Sequence, residues 1–153
     1  MGKSLKRVIC SRFIWSAYKL PIPVIFKIKP MFLNLAHTKM AVFEESKRLV
    51  LECYRTTKHF PQEEKFAMVQ QIRRAALSVH LNIAEGCSRK SDQERKRLFE
   101  ISRGSIVEID TAYDIAEALG YLTAQEPTQL GKHLVSTFKQ LTGLIGARKV
   151  VQP

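Results

Sequence analysis

Apolar residues recur along this chain at spacings of three and four, the period of a helix that buries one face. The clearest run is Phe66, Val69, Ile72, Ala76, Val79 and Ile83, and it predicts a helix running into Glu85. Gly86 follows; without a Cβ it suits the left-handed position that ends a helix and satisfies its last carbonyls. A short polar link, Cys87 to Lys90, leads to Ser91-Asp92-Gln93-Glu94. The serine there can accept from the amide three residues on while the glutamate reaches back to the serine amide, which is a capping box. From it a second stripe, Leu98, Ile101, Ser105, Ile109, Ala112, Ala116 and Leu119, holds helical phase until Gly120.

Two further helices flank this pair. From Ala41 to about Lys58, Phe43, Val50 and Tyr54 stand in phase, with Leu49 and Cys53 beside them. Thr56 to Phe60 breaks the pattern. Pro61 with Glu63 and Glu64 suits a first helical turn, where a missing amide is harmless and negative charge meets the positive end of the dipole. The second helix is therefore expected from Pro61. After Gly120, Tyr121 and Leu122 fold back, and Pro127 opens a fourth stripe through Leu130, Leu134, Phe138, Leu141 and Ile145. Gly131, Gly143 and Gly146 make it the weakest helix by propensity. No strand pattern is evident. Four helices on short links favour antiparallel neighbours, so the expected fold is all-α, an antiparallel up-down-up-down four-helix bundle.

Some apolar residues fall on the wrong side of these stripes. At 100° per residue Leu81 lies roughly 150° and Leu77 roughly 110° from the centre of the second helix's stripe, and Val107 about 160° from the third's. One bundle cannot bury both faces, and a second apolar surface marks a partner site. Leu77, Leu81 and Val107 are the expected oligomer interface.

QIRRAALSVHLNIAEG, SRKSDQE, FEISRGSIVEID and ALGYL, in this order, resemble the four-helix-bundle proteins encoded by intervening sequences in bacterial large-subunit ribosomal RNA genes. The likeness runs from about Phe43 to Ile145. That family is similar to the accessory variability protein of diversity-generating retroelements. The resemblance implies an up-down-up-down bundle, a ring-shaped homopentamer and a nucleic-acid-binding role, and it implies no enzyme activity. His80 and Leu81 depart from it, standing where a Pro-Ala-like pair is common, and Cys87 replaces a small residue; the first departure bears on a kink in the second helix.

Length and charge narrow the picture. A chain of 153 residues fits one core. The net charge is +11, yet residues 1–39 hold eight Lys or Arg and no acid, which leaves +3 from Met40 onward. Residues 1–39 mix these charges with Phe13, Trp15 and Tyr18, show no period, and lack a cleavage site after an adequate apolar run. They read as a basic N-terminal extension ahead of a bundle domain at 40–153. One account makes it an arm for nucleic acid; the preferred one makes it an upstream extension, with Met40 as the natural beginning. Three cysteines, Cys10, Cys53 and Cys87, contain no CxxC pair, so a disulfide framework or zinc site is disfavoured and a reducing cytoplasm fits. No apolar run approaches a membrane span, since even Leu20 to Phe26 contains Pro21 and Pro23.

Candidate chemistry is sparse. His37, His59, His80 and His133 are scattered, with no HExxH-like spacing. No Gly-rich phosphate loop follows a strand, and no serine sits in a GxSxG turn. Neither catalytic residues, metal nor cofactor is expected. Arg73, Asn82, Glu85, Arg103 and Glu108 match polar positions of the family's motifs, and the favoured reading makes them an interhelix polar network that fixes register. The basic residues carry more. Gln70 to Ser105 holds eight Lys or Arg against four acids. Arg89, Lys90, Arg95, Lys96 and Arg97 crowd the corner between helices two and three, where they can meet several phosphates. Cations at a helix N-terminus oppose its dipole unless an anion is present, which favours binding over a merely solvated helix end. The expected function is a non-enzymatic oligomer that binds RNA or DNA through this corner. The alternative is a protein-protein adaptor, such as a reverse-transcriptase accessory protein.

Overall fold

The computed structural model describes residues 33, 35–122 and 127–147. Residues 34–153 group as one compact unit. The basic extension expected over residues 1–39 lies, as far as residue 32, outside the described residues. Four helices follow, α1 (Ala41–Thr56), α2 (Met68–Ser88), α3 (Asp92–Ala118) and α4 (Pro127–Gly146), and no strand occurs among the described residues. Each helix packs on the next, and α1 also packs on α4, closing a four-membered ring. Contacts fix the direction of α2 against α3: Val79 meets Ser102, Ser78 meets Ser105, and Gln71 meets Glu108. Positions rise along one helix as they fall along the other, so the pair is antiparallel.

The core is Leu49 of α1, Ile72, Val79 and Ile83 of α2, Ile106 and Ile109 of α3 and Leu141 of α4, all fully buried. Hydroxyls share it. Ser46, Thr56, Ser102 and Thr137 are buried and each donates to a backbone carbonyl. Burying a hydroxyl is tolerable only with such a partner, and no buried side-chain polar atom among the described residues lacks one.

Several boundaries and faces differ from the expectation. The second helix does not start at Pro61. The chain makes a 3-10 turn over Gln62–Phe66, breaks at Ala67 (φ −112°, ψ −104°), and only then enters α2. Phe66 consequently leaves the stripe: it is 80% exposed, with the Lys65 ammonium over its ring. Glu64 still serves the dipole, because its carboxylate accepts from the Met68 amide at 3.2 Å. Gly86 does not end α2, which runs on to Ser88 with Arg89 as its extended cap. Gly86 is instead buried where α3 crosses, and a Cβ on it would lie 2.8 Å from Phe99 Cε1.

The α3 stripe is shifted in its first half. Phe99, Ser102 and Ile106 are buried while Ile101 is exposed, and at the other end Leu119, the cap of α3, is exposed too. Ser102 occupies a core position because it donates to the Val79 carbonyl at 2.9 Å. In α1 the buried face is Val42, Phe43, Ser46, Leu49 and Cys53, with Val50 and Tyr54 at its edges. At the far end of α3, Gly120 has φ +72°. The Tyr121 amide donates to Ala116 O and the Gly120 amide to Glu117 O, both at 2.9 Å, the paired bonds of a Schellman stop.

Ala36–Lys39 forms a 3-10 turn that packs on α1 and α2, with the buried His37 ring 5.0 Å from that of Phe43.

Candidate nucleic-acid interface

The α2–α3 corner is built by two local rules. Arg89 leaves α2 with extended backbone, and Ser91 opens α3 by accepting from the Glu94 amide at 3.4 Å. Only residues 89–91 separate the two helices, so Arg89, Lys90, Arg95, Lys96 and Arg97 are held close together. Their charges are not equally free. Arg89 pairs with Glu85 one turn back, and Arg95 pairs with Asp92 at 3.0 Å while donating to the Arg89 carbonyl at 2.9 Å. Arg95 thus staples the corner. Lys90, Lys96 and Arg97 are exposed and form no ion pair among the described residues. With Lys96 and Arg97 about 100° apart around α3, the uncompensated charge wraps the helix end.

The five polar residues expected to form one network do not converge. Arg73 donates to Thr57 Oγ1 at 2.9 Å and lies over the Tyr54 ring, linking α2 to the end of α1. Glu108 accepts from Gln71 across the α2–α3 seam. Asn82 bonds within α2, to Ser78. Glu85 pairs with Arg89 on its own side, and Arg103 makes no hydrogen bond or ion pair among the described residues. Small hydroxyls tie the seam instead: Ser78 and Ser105 sit 2.9 Å apart, beside the Ser102 bond to Val79. The one sequence signal for this was a serine inside an apolar stripe.

Leu77, Leu81 and Val107 all lie exposed on the outside of the bundle, Leu81 at 60% and Val107 at 53%. α2 passes without interruption through His80 and Leu81, so the pair that replaces Pro-Ala makes no break. His80 instead hydrogen-bonds Ser46 of α1 at 2.8 Å and packs on the Phe43 ring.

Two hollows escaped the sequence reading. One, of about 350 Å³, lies among Thr56, Tyr113, Leu130 and Leu134, with Asp110 and Asp114 on its wall. The other, of about 580 Å³, lies between α3 and the end of α4, beside the basic corner. No group of His, Cys, Asp and Glu among the described residues has the arrangement of a metal site. No described helix is long and apolar enough to cross a membrane.

Among solved structures the chain is similar to a protein of unknown function from the S23 ribosomal protein family of Bacteroides thetaiotaomicron, at 20% identity and a TM-score of 0.64. The match covers 69% of this chain and 99% of that one, and at this identity it is a likeness of fold. No curated protein matches. A model of the 23S rRNA-intervening sequence protein family matches residues 38–143, from the first 3-10 turn into the last turns of α4. The chain therefore belongs to the 23S rRNA-intervening sequence protein family.

Proposed function

We propose that this chain is a non-enzymatic, cytoplasmic bundle that oligomerises and binds RNA or DNA through its α2–α3 corner. The observation that carries this reading is the set of three uncompensated cations, Lys90, Lys96 and Arg97, fixed around one helix start by the stapling of Arg95. Phosphates are the ligands that such a cluster holds without sequence preference. Membership in a family named for a ribosomal RNA insertion fits this chemistry.

The test is a gel-shift titration of the whole protein against RNA and DNA at several salt concentrations. Three engaged cations give log Kd against log salt a slope of about 2 to 3 per corner. Replacing Arg89, Lys90, Arg95, Lys96 and Arg97 by Gln abolishes the shift while helicity persists. No shift at low salt, or an undiminished shift in the substituted protein, overturns the reading. A second reading, that of a protein-protein adaptor such as a reverse-transcriptase accessory protein, would work through the outward Leu77, Leu81 and Val107. An apolar face of this kind serves either a further copy of the chain, as in the homopentamer that the family resemblance implies, or a different protein.

A further inference from the structure

Beyond the corner, the groove of about 580 Å³ lies between α3 and the end of α4, with Asp92, Arg95 and Lys96 on one side, Leu144, Ile145 and Gly146 on the other, and Phe99 between. Its size falls in the range of small-ligand sites. Its chemistry is divided: apolar walls from Phe99, Leu144 and Ile145, and a charged rim on which Arg95 and Asp92 pair with each other while Lys96 forms no ion pair among the described residues. A rim that carries a net positive charge above apolar walls suits an anion with a flat apolar body. A nucleotide unit has that form, with a phosphate for Lys96 and a base for the walls.

We propose that this groove takes the base of an unpaired nucleotide, so that the corner prefers single-stranded to duplex nucleic acid. The inference rests on the nucleic-acid reading of the corner. In a duplex each base is paired and stacked on its neighbours, and only phosphates reach the protein; in a single strand a base can turn out and exchange water for the groove walls. Charge alone works the other way, because a duplex packs its phosphates more densely. A preference for the single strand therefore has to come from the base.

The experiment uses the full chain with labelled oligo(U), oligo(dT), an abasic strand and a duplex of equal length at one salt concentration. Oligo(U) and oligo(dT) bind about tenfold more tightly than the duplex, as removal of about 55 Å² of apolar surface from water yields. The abasic strand loses that advantage. Gly146→Leu fills the groove without changing charge, since a Cβ there meets nothing within 4 Å. It brings the single strands down to duplex affinity and leaves the duplex unaffected. Gly143→Leu, on the same helix, open at its Cβ and not lining the groove, changes neither. If Gly146→Leu fails to fold, Ile145→Gln, which makes a groove wall polar and also leaves the charge unchanged, gives the same loss. Equal binding of strand, abasic strand and duplex, or a Gly146→Leu protein that keeps its preference, overturns the groove and leaves the corner reading intact. Absence of binding to all four overturns both.

Discussion

Gly86 and Gly104 both sit on helical backbone, and their neighbours separate them. A Cβ on Gly86 meets the Phe99 ring at 2.8 Å, whereas one on Gly104 meets nothing within 4 Å. Phe99 is itself buried between α2 and the end of α4, so its ring has little room to yield. Overpacking of this kind costs about 1–3 kcal/mol, which exceeds the ~1 kcal/mol by which alanine favours a helix over glycine. Gly86→Ala is expected to lower the melting temperature and Gly104→Ala to raise it, both read by circular dichroism. Ser46 has one hydroxyl proton and two partners, the Phe43 carbonyl and His80 Nδ1. With the proton given to the carbonyl, Nδ1–H of His80 is the donor to Ser46 and further protonation falls on Nε2. Burial first, and then Lys47, hold the His80 pKa below its ordinary 6.5. The unfolded chain therefore binds the proton more readily than the folded one, and stability is lost as pH falls from about 6.5 toward the folded value. Thermal melts across that window slope downward toward acid in the wild type, and His80→Phe removes this residue's share of the slope.

At the scale of elements, α3 is the helix whose two ends were most legible and whose face was least so. Ser91 and Gly120 act through local backbone chemistry that a few adjacent residues determine. Ser91→Ala, removing the acceptor for the Glu94 amide, costs about 1 kcal/mol. Gly120→Ala, forcing a Cβ onto φ +72°, costs about 1–2 kcal/mol; chemical denaturation measures both, and neither variant should alter the overall fold. The face depended on the partner helix. Ser102 is buried because Val79 offers a carbonyl opposite it, and an apolar-only pattern passes over a serine and selects Ile101 in its place. Gly86 was misread for a related reason: a glycine before a polar link has the same sequence appearance whether it ends a helix or admits a neighbouring ring. The basic corner was legible as a cluster of charges, but its partition was not. Which cations remain free depends on Glu85 and Asp92 lying one turn away on the right side. The α3–α4 groove left no trace in either helix alone, since its walls come from both.

On the scale of the whole molecule, the first question is where the bundle begins. Ala36–Lys39 brings the buried His37 against Phe43, so a chain starting at residue 40 melts a few degrees below one starting at residue 34, as loss of about 1 kcal/mol produces. The second question is assembly. Leu81 projects at 60% exposure from the middle of α2, with Leu77 one turn before it and Val107 exposed on neighbouring α3. An isolated bundle gains nothing from these positions, and a glutamate at Leu81 alters its stability by no more than about 0.5 kcal/mol, as at other surface sites. In an oligomer that buries the face, the same carboxylate would be desolvated without a partner and association would fail. Light scattering separates the cases: the wild type scatters as a multiple of its 17.5 kDa chain, and Leu81→Glu as a single chain with its helicity unchanged. The consequence extends to the corner. One set of three free cations binds phosphate weakly at physiological salt, whereas copies held in one assembly engage a strand together, each later contact being made at high effective concentration. Leu81→Glu, about 12 Å along α2 from Arg89, the nearest cation of the cluster in sequence, should therefore weaken nucleic-acid binding by at least tenfold and flatten its salt dependence. A wild type that is already monomeric at micromolar concentration, or a dissociated variant that binds as tightly as the wild type, would separate the corner from assembly and leave the outer leucines to a different partner.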